Sequence, residues 1–175
     1  MKRTVSILMA LLLAALPALA AQPFSPFDHL TGRSGGGRYL YYDFPDISLH
    51  LPIEWEGRVT VEQSDDGVSF YQTASLERYS AEGLPGGGFL FALCAGADEG
   101  WRELPAYQYL GFSENAGLHF YLLLPSDYPA FPDDAVRAEY DGMAARIDEI
   151  AEMARIAPSM RFYTDGVEST DPGMS

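Results

Sequence analysis

Apolar and polar residues alternate in several short stretches of the chain, and each stretch is bounded by glycine, proline or polar turn residues. Ile47, Leu49 and Leu51 alternate with Ser48 and His50, so one side of this stretch is apolar and the other is polar. A repeat of two is typical of a β-strand with one buried face. The same reasoning predicts strands over residues 38–43, 47–51, 58–62, 68–73, 89–94, 107–112 and 118–124.

Two pairs of these strands are separated by short turn sequences. Ser-Asp-Asp-Gly at residues 64–67 and Glu-Asn-Ala-Gly at residues 114–117 each predict an antiparallel hairpin. Residues 74–82 fit either a helical turn or a continued strand, and residues 98–104 fit a single helical turn before Pro105.

A helical repeat appears near the end of the chain. Asp133 or Asp134 can cap a helix that Pro132 opens, and Pro158 is predicted to stop it. One apolar stripe follows at spacings of three and four, formed by Tyr140, Met143, Ile147, Ile150 and Ala154. The predicted fold class is therefore α+β: an antiparallel β-meander sheet covered by one long C-terminal amphipathic helix.

The N-terminus has the pattern of an export signal. Lys2 and Arg3 precede an apolar stretch over residues 5–16, and Ala-Leu-Ala at residues 18–20 places small residues where a signal peptidase reads them. We expect cleavage after Ala20, with Ala21 as the alternative position, and a secreted, periplasmic or cell-envelope location; an uncleaved N-terminal anchor is the other alternative. The predicted organisation is a signal peptide at 1–20, a flexible lead-in at 21–37, a single α+β domain at 38–158 and a disordered acidic tail at 159–175.

Charge narrows the classes of partner. The 175 residues include 11 basic and 25 acidic side chains, a net charge of −14. Loss of the leader removes Lys2 and Arg3 and leaves nine arginines against 25 acids, a net charge of −16. Nucleic acid is excluded as a partner because binding to it depends on cations that neutralise phosphates. No transmembrane segment is expected after signal cleavage, because no later apolar stretch is long enough.

Several stretches resemble a small, uncharacterised extracytoplasmic domain of Gram-positive bacteria. They are ISLHLPIEW at 47–55, GVSFY at 67–71, GGGFLF at 86–91, YLG at 109–111 and PSD at 125–127, and they span about residues 39–151. The order of a strand, P-x-x-W, a β-meander and a final helix is more distantly similar to the PsbP-like α/β/α sandwich. The resemblance implies an extracytoplasmic α+β fold, and it assigns no residue a role.

Two patterns match catalytic or metal sites only in part. Gly-Arg-Ser-Gly-Gly at residues 32–36 has the spacing of the serine-hydrolase elbow, but a strand and not a helix is predicted after it. Asp-Asp-Gly at residues 65–67 has the residue types of a calcium site, yet a hairpin turn requires the same residues. Cys94 is the single cysteine and is predicted to be a small buried residue of a strand.

Histidines and acids supply a rival interpretation. His50 and His119 both lie on predicted strands, and a shared sheet face would place them in a groove with Tyr121. Glu54 and Glu56 would then complete an exported hydrolase with His119. Two unrelated, half-exposed histidines are the simpler interpretation. The sequence predicts no catalytic residue, no metal ligand and no cofactor.

Aromatic residues are frequent on the predicted strands. The chain has 11 tyrosines and ten phenylalanines, and strand tyrosines on an open sheet face suit an interaction surface. The alternative is ordinary strand propensity. The predicted ligand-binding residues are Tyr107, Tyr109, Tyr121, His119 and Trp55. We expect an exported, non-catalytic binding or accessory module for an envelope protein, a peptide or another envelope component; a structural or assembly partner of a membrane protein is the further alternative.

Overall fold

The computed structural model describes residues 30–64 and 67–157. The strands are β1 (Leu30–Ser34), β2 (Tyr39–Asp43), β3 (Ile47–Pro52), β4 (Val59–Ser64), β5 (Gly67–Gln72), β6 (Phe89–Gly96), β7 (Tyr107–Ser113), β8 (Leu118–Leu123) and β9 (Arg155–Ile156). The helices are α1 (Thr73–Ala81), α2 (Asp134–Ala144) and α3 (Ile147–Met153), and short 3₁₀ turns lie at Ile53–Trp55 and Gly100–Glu103. The α+β class, both hairpins and the helical turn before Pro105 are confirmed.

The strands form two antiparallel sheets, so the prediction of a single meander sheet is wrong. The first sheet has the order β1-β2-β3-β9 and the second has the order β4-β5-β6-β8-β7. The chain leaves the first sheet at Pro52, whose ring nitrogen has no N–H to donate to a further ladder. The 3₁₀ turn Ile53–Trp55 follows at once and redirects the chain into β4.

Glycines at the start of the described chain form a hairpin, although the sequence predicts a flexible lead-in here. β1 pairs with β2, and the Gly37 N–H donates to the Ser34 carbonyl over 3.0 Å in the turn between them. Gly32 faces Tyr41, and a Cβ at Gly32 would lie 2.5 Å from the Tyr41 ring. The composition of this segment resembles that of a linker because linkers are rich in glycine, and close packing and positive φ angles also require glycine. The predicted signal peptide, the rest of the lead-in, the acidic tail and Asp65-Asp66 lie outside the described residues.

The C-terminal helix is bent and not continuous. Asp133 caps α2, because its carboxylate accepts the N–H groups of Ala135 and Val136 at 3.1 Å. The helix is interrupted after Ala144, where the Arg146 N–H donates to the Met143 carbonyl in a tighter turn, and α3 restarts at Ile147. The apolar stripe continues across the bend and is buried at Tyr140, Met143, Ile147 and Ile150.

The helix ends earlier than Pro158. α3 stops at Met153, and β9 then pairs with β3 through Ile156 and Ile47. Residues 74–82, which the sequence leaves between two states, are helical in α1. None of the helices in residues 30–64 and 67–157 is long and apolar enough to cross a lipid bilayer.

One hydrophobic core lies where the inner faces of both sheets meet the helical stripe. Leu49 and Leu51 of β3 and Phe70 of β5 have no exposed surface. The Phe70 ring stacks on Phe91 of β6 with 4.6 Å between their centroids. Ile150 brings α3 into the same cluster. Because this core occupies the inner faces of the sheets, the outer face of the second sheet does not contribute to it.

Candidate functional site

The strand register of β6, β7 and β8 divides their side chains between two faces. Phe120 and Leu122 of β8 point into the core. Residues directly opposite one another share a face, so the alternate residues of β8 meet their partners on the outer face. Tyr121 lies between Tyr109 of β7 and Cys94 of β6. Cys94 is therefore half-buried on this outer face and is not the buried core residue that the sequence predicts.

A β-bulge brings a further ring to the outer face. The register shifts between Tyr109 and Gly111, and Leu110 is the extra residue. Beyond the shift, Phe112 pairs with His119 and lies on the same side as Tyr109. The extra residue shifts the alternation of the strand by one position, so Phe112 lies on the outer face, whereas regular alternation would place it on the inner face.

Trp101 completes the cluster from outside the strands. It lies in the 3₁₀ turn Gly100–Glu103 and stacks on Tyr109, with 4.5 Å between ring centroids and 13° between ring planes. Tyr107 meets it edge-on at 5.2 Å, and His119 and Tyr121 lie at 6.0 and 6.5 Å. Trp101 is only 8% exposed although it is not part of the hydrophobic core. We define the outer aromatic face as Trp101, Tyr107, Tyr109, Phe112, His119 and Tyr121.

Polar contacts orient the rings and leave part of the face open. The Tyr109 hydroxyl lies 2.9 Å from His119 Nδ1, within hydrogen-bond distance, and the Phe112 ring lies 4.7 Å from the imidazole. Tyr109 is 41% exposed and Phe112 is 45% exposed. The buried indole N–H of Trp101 has no acceptor among the described residues. This end of the sheet therefore presents rings that are held in place and still accessible.

A concave pocket of about 380 Å³ adjoins the outer aromatic face, and we call it the proline pocket. Its apolar lining comes from the sheet and from the loops beside it: Tyr71, Phe89, Leu123, Pro105, Pro125 and Pro129. Leu123 is the partner of Tyr107 in the strand register, so the pocket and the rings share one continuous sheet face. Asp127 adds a carboxylate to the lining.

Four of the five predicted ligand-binding residues come together. Tyr107, Tyr109, His119 and Tyr121 all belong to the outer aromatic face. Trp55 does not, and its assignment to a binding surface is wrong. It is 3% exposed and lies in the core near Phe91, because the 3₁₀ turn after Pro52 directs the indole inward.

Sequence reasoning misses Trp101 and Phe112. Trp101 lies in a stretch that predicts only a helical turn, and nothing local indicates which surface that turn covers. Phe112 lies out of phase with Tyr107 and Tyr109, and its face depends on the bulge. Gly111 is the local signal that was available, because an isolated glycine within a strand often marks a bulge.

The histidine–carboxylate site of the rival interpretation is not formed. His50 lies in the first sheet and His119 in the second, so they do not share a face, and both are half-exposed. Glu56 pairs with Arg33 of β1 at 2.6 Å, on the first sheet and not beside His119. No group of three or more histidine, cysteine or acidic side chains suited to a metal ion occurs in residues 30–64 and 67–157.

The Gly-x-Ser-x-Gly match lies in the hairpin of the first sheet. Ser34 ends β1, and its hydroxyl oxygen lies 3.0 Å from His50 Nδ1. The next element is strand β2, so the strand–turn–helix arrangement of a hydrolase elbow is not formed.

Comparison with known proteins identifies no relative: no family model, no curated protein and no solved structure matches this chain.

Proposed function

We propose that the mature chain is an exported, non-catalytic binding module that engages its partner through the outer aromatic face. One observation carries the proposal: a tryptophan is packed almost completely on the side of the sheet that faces away from the core, and Tyr109 and Phe112 beside it are 41% and 45% exposed. Single exposed apolar residues are normal on protein surfaces, whereas a contiguous ring cluster is typical of an interaction site.

Rigidity makes this face suitable for binding. Tyr109 and Tyr121 are cross-strand partners, and Trp101 holds the Tyr109 ring parallel to its own. Side chains that are already ordered lose little conformational entropy when a partner binds. Aromatic anchors at the centre of an interface supply a large share of its binding energy. The cluster therefore needs no rearrangement to expose its two open rings.

Export supports a partner in the cell envelope or outside the cell. The proposal relies on the basic start, the apolar stretch and the small residues that end at Ala20. Intact-mass measurement of the protein recovered from the secreted or envelope fraction tests this directly. A mass that corresponds to a chain beginning at Ala21 supports it, and recovery of the uncut chain contradicts it.

Partner capture tests the role of the face. The tagged mature chain is compared with a double variant, Tyr109→Ser with Phe112→Ser, and with the control Leu84→Ser, which changes an apolar side chain that is 50% exposed on a loop. We expect the double variant to lose the captured envelope component and the control to retain it. Circular dichroism melts establish that both variants are folded. Equal capture by all three proteins would exclude the outer aromatic face.

The same experiment decides the remaining alternative. A captured component that is an integral membrane protein would make this chain an assembly partner of that protein. A soluble or peptidic component would make it a binding module in the narrower sense. Both results retain the outer aromatic face as the contact surface.

A further inference from the structure

The exposed Phe112 ring of the outer aromatic face and the proline pocket lie at opposite ends of one row of side chains along β8, which we call the track. His119, Tyr121 and Leu123 follow one another at every second position of β8 on the outer face. Each step of two residues in a strand advances about 6.7 Å, so His119 and Leu123 lie about 13 Å apart. Leu123 lines the proline pocket, and His119 contacts the exposed Phe112 ring.

The pocket end of the track is apolar. Tyr71 and Phe89 contact one another edge-on at 5.7 Å, and three prolines close the surrounding loops. A pocket of about 380 Å³ with this lining has room for one apolar side chain of a partner. Asp127 in the lining disfavours an acidic group at the same place.

Acidic residues lie close in the chain to the rings of the outer aromatic face. Asp98, Glu99 and Glu103 flank Trp101 in the chain, and Glu114 follows β7 directly; all four are exposed. Arg102 is the only lysine or arginine in residues 96–121. These acids, together with the net charge of −16 of the mature chain, favour a cationic partner.

Arg102 also shows that this ring cluster accommodates a cation. Its guanidinium lies 5.0 Å from the centroid of the Trp101 ring while it pairs with Glu99 at 2.7 Å. Electron-rich ring faces attract arginine and lysine, and a neighbouring carboxylate adds to that attraction. Tyr109 and Phe112 offer exposed ring surface of the same kind.

We propose that the partner recognised by this face is an extended peptide segment that carries an apolar side chain for the proline pocket and a basic side chain for the rings at Phe112 and His119, four residues apart. This proposal rests on the proposed function and names the class of its ligand. In an extended chain, residues i and i+4 point to the same side and lie about 13 Å apart, which matches the distance between the two ends of the track.

Two tryptophans give the protein a built-in reporter and control. Trp101 lies within the outer aromatic face, whereas Trp55 is buried in the core. The mature protein labelled with ¹⁵N is titrated with the synthetic peptides Leu-Ser-Thr-Ser-Arg and Arg-Ser-Thr-Ser-Leu, since the face does not fix the direction of the chain. The matched probes replace arginine with glutamate or leucine with serine. The indole N–H signals of both tryptophans are followed by NMR.

We expect an arginine-containing probe to shift the Trp101 signal and to leave the Trp55 signal in place. Loss of the arginine or of the leucine should weaken binding by about fivefold or more, because each removes one of two contacts. The Phe112→Ser protein should lose most of the preference for arginine and keep the preference for leucine, since the pocket is distant from Phe112.

The peptide class fails in two recognisable ways. Probes with glutamate that bind as well as those with arginine would overturn it, and so would the absence of any Trp101 shift at millimolar peptide. If the Tyr109→Ser, Phe112→Ser variant still loses its envelope component in the capture experiment, the binding function stands and only the ligand class is wrong. If that variant captures normally, the function itself is wrong.

Discussion

Trp101 provides the most direct test of the outer aromatic face, because its burial outside the core is what defines the cluster. The side chain is 8% exposed and stacks on Tyr109 at 4.5 Å. Removal of a large ring from an enclosed core costs about 3–5 kcal/mol, part of which is the cavity left behind. On an outer face water fills the space, so we expect Trp101→Ala to cost the transfer term alone, about 2–3 kcal/mol.

Two further variants separate packing from other effects. Trp55→Ala in the core should cost more, about 3–5 kcal/mol, because its cavity stays enclosed. Trp101→Phe should lie within about 1 kcal/mol of the parent, because the phenyl ring keeps most of the buried ring area and can still stack on Tyr109.

The assay is urea unfolding of the purified mature chain, followed by far-ultraviolet circular dichroism. Domains of this size have about 5–15 kcal/mol of stability, so each variant should remain folded in the absence of urea. A loss below about 1 kcal/mol for Trp101→Ala would refute the reasoning, because the indole would then have little packing to lose. Equal losses for Trp101→Ala and Trp55→Ala would show that the outer ring cluster behaves as a second enclosed core.

Three other predictions follow from the fold. Gly111→Ala should destabilise the protein by about 1–3 kcal/mol in thermal melts, because its φ is +146° and a Cβ would lie 2.5 Å from Ile156 Cδ1; an unchanged melting temperature would contradict the bulge geometry. Burial raises the pKa of Tyr140 from 10.0 to about 12, so the native state resists ionisation and the free energy of unfolding should fall as pH rises through that interval. In urea titrations Tyr140→Phe should make this fall less steep, and an equal slope in both proteins would exclude Tyr140 as the source of the pH dependence. The N–H of Val136, with Arg78 beside it, lowers the pKa of Asp133 below 3.8, so the stabilisation by the ionised carboxylate is present above pH 3.8 and is lost as the pH falls through the lowered pKa. Asp133→Asn should reduce this loss of stability in acid unfolding, and an acid titration identical to the parent's would show that another group causes the loss.

Local pattern accounts for the parts of the fold that depend on neighbours in the chain. The alternation around Leu49 predicts β3 and its buried side, and the turn at residues 114–117 predicts the β7–β8 hairpin. The stripe that includes Tyr140 and Ile150 predicts the helical face that enters the core. These features follow from repeats of two residues in strands and about 3.6 residues in helices, and both repeats are visible in the spacing of apolar residues along the chain.

The same reasoning recovers most of the candidate site but not its organisation. Tyr107, Tyr109 and Tyr121 are correctly placed on neighbouring strands of one hairpin. Trp55 has the same aromatic character and a similar polar setting in the sequence, yet it is buried in the core. Composition identifies residues that suit a binding surface, and it does not state on which side of the sheet they lie.

The amino-acid sequence alone determined strands β2 to β8, the apolar stripe of the C-terminal helix, the two hairpins and the aromatic character of the strands, because each depends on contacts a few residues apart. Only the tertiary structure decided the division into two sheets and the pairing of Ile156 in β9 with β3. It also decided the bulge that places Phe112 on the outer face and the stacking of Trp101 on Tyr109. Pairing between distant strands is selected by the burial of the whole core, and a single extra residue reverses which side chains face solvent. For that reason the surface that we propose to bind a partner exists only in the folded chain.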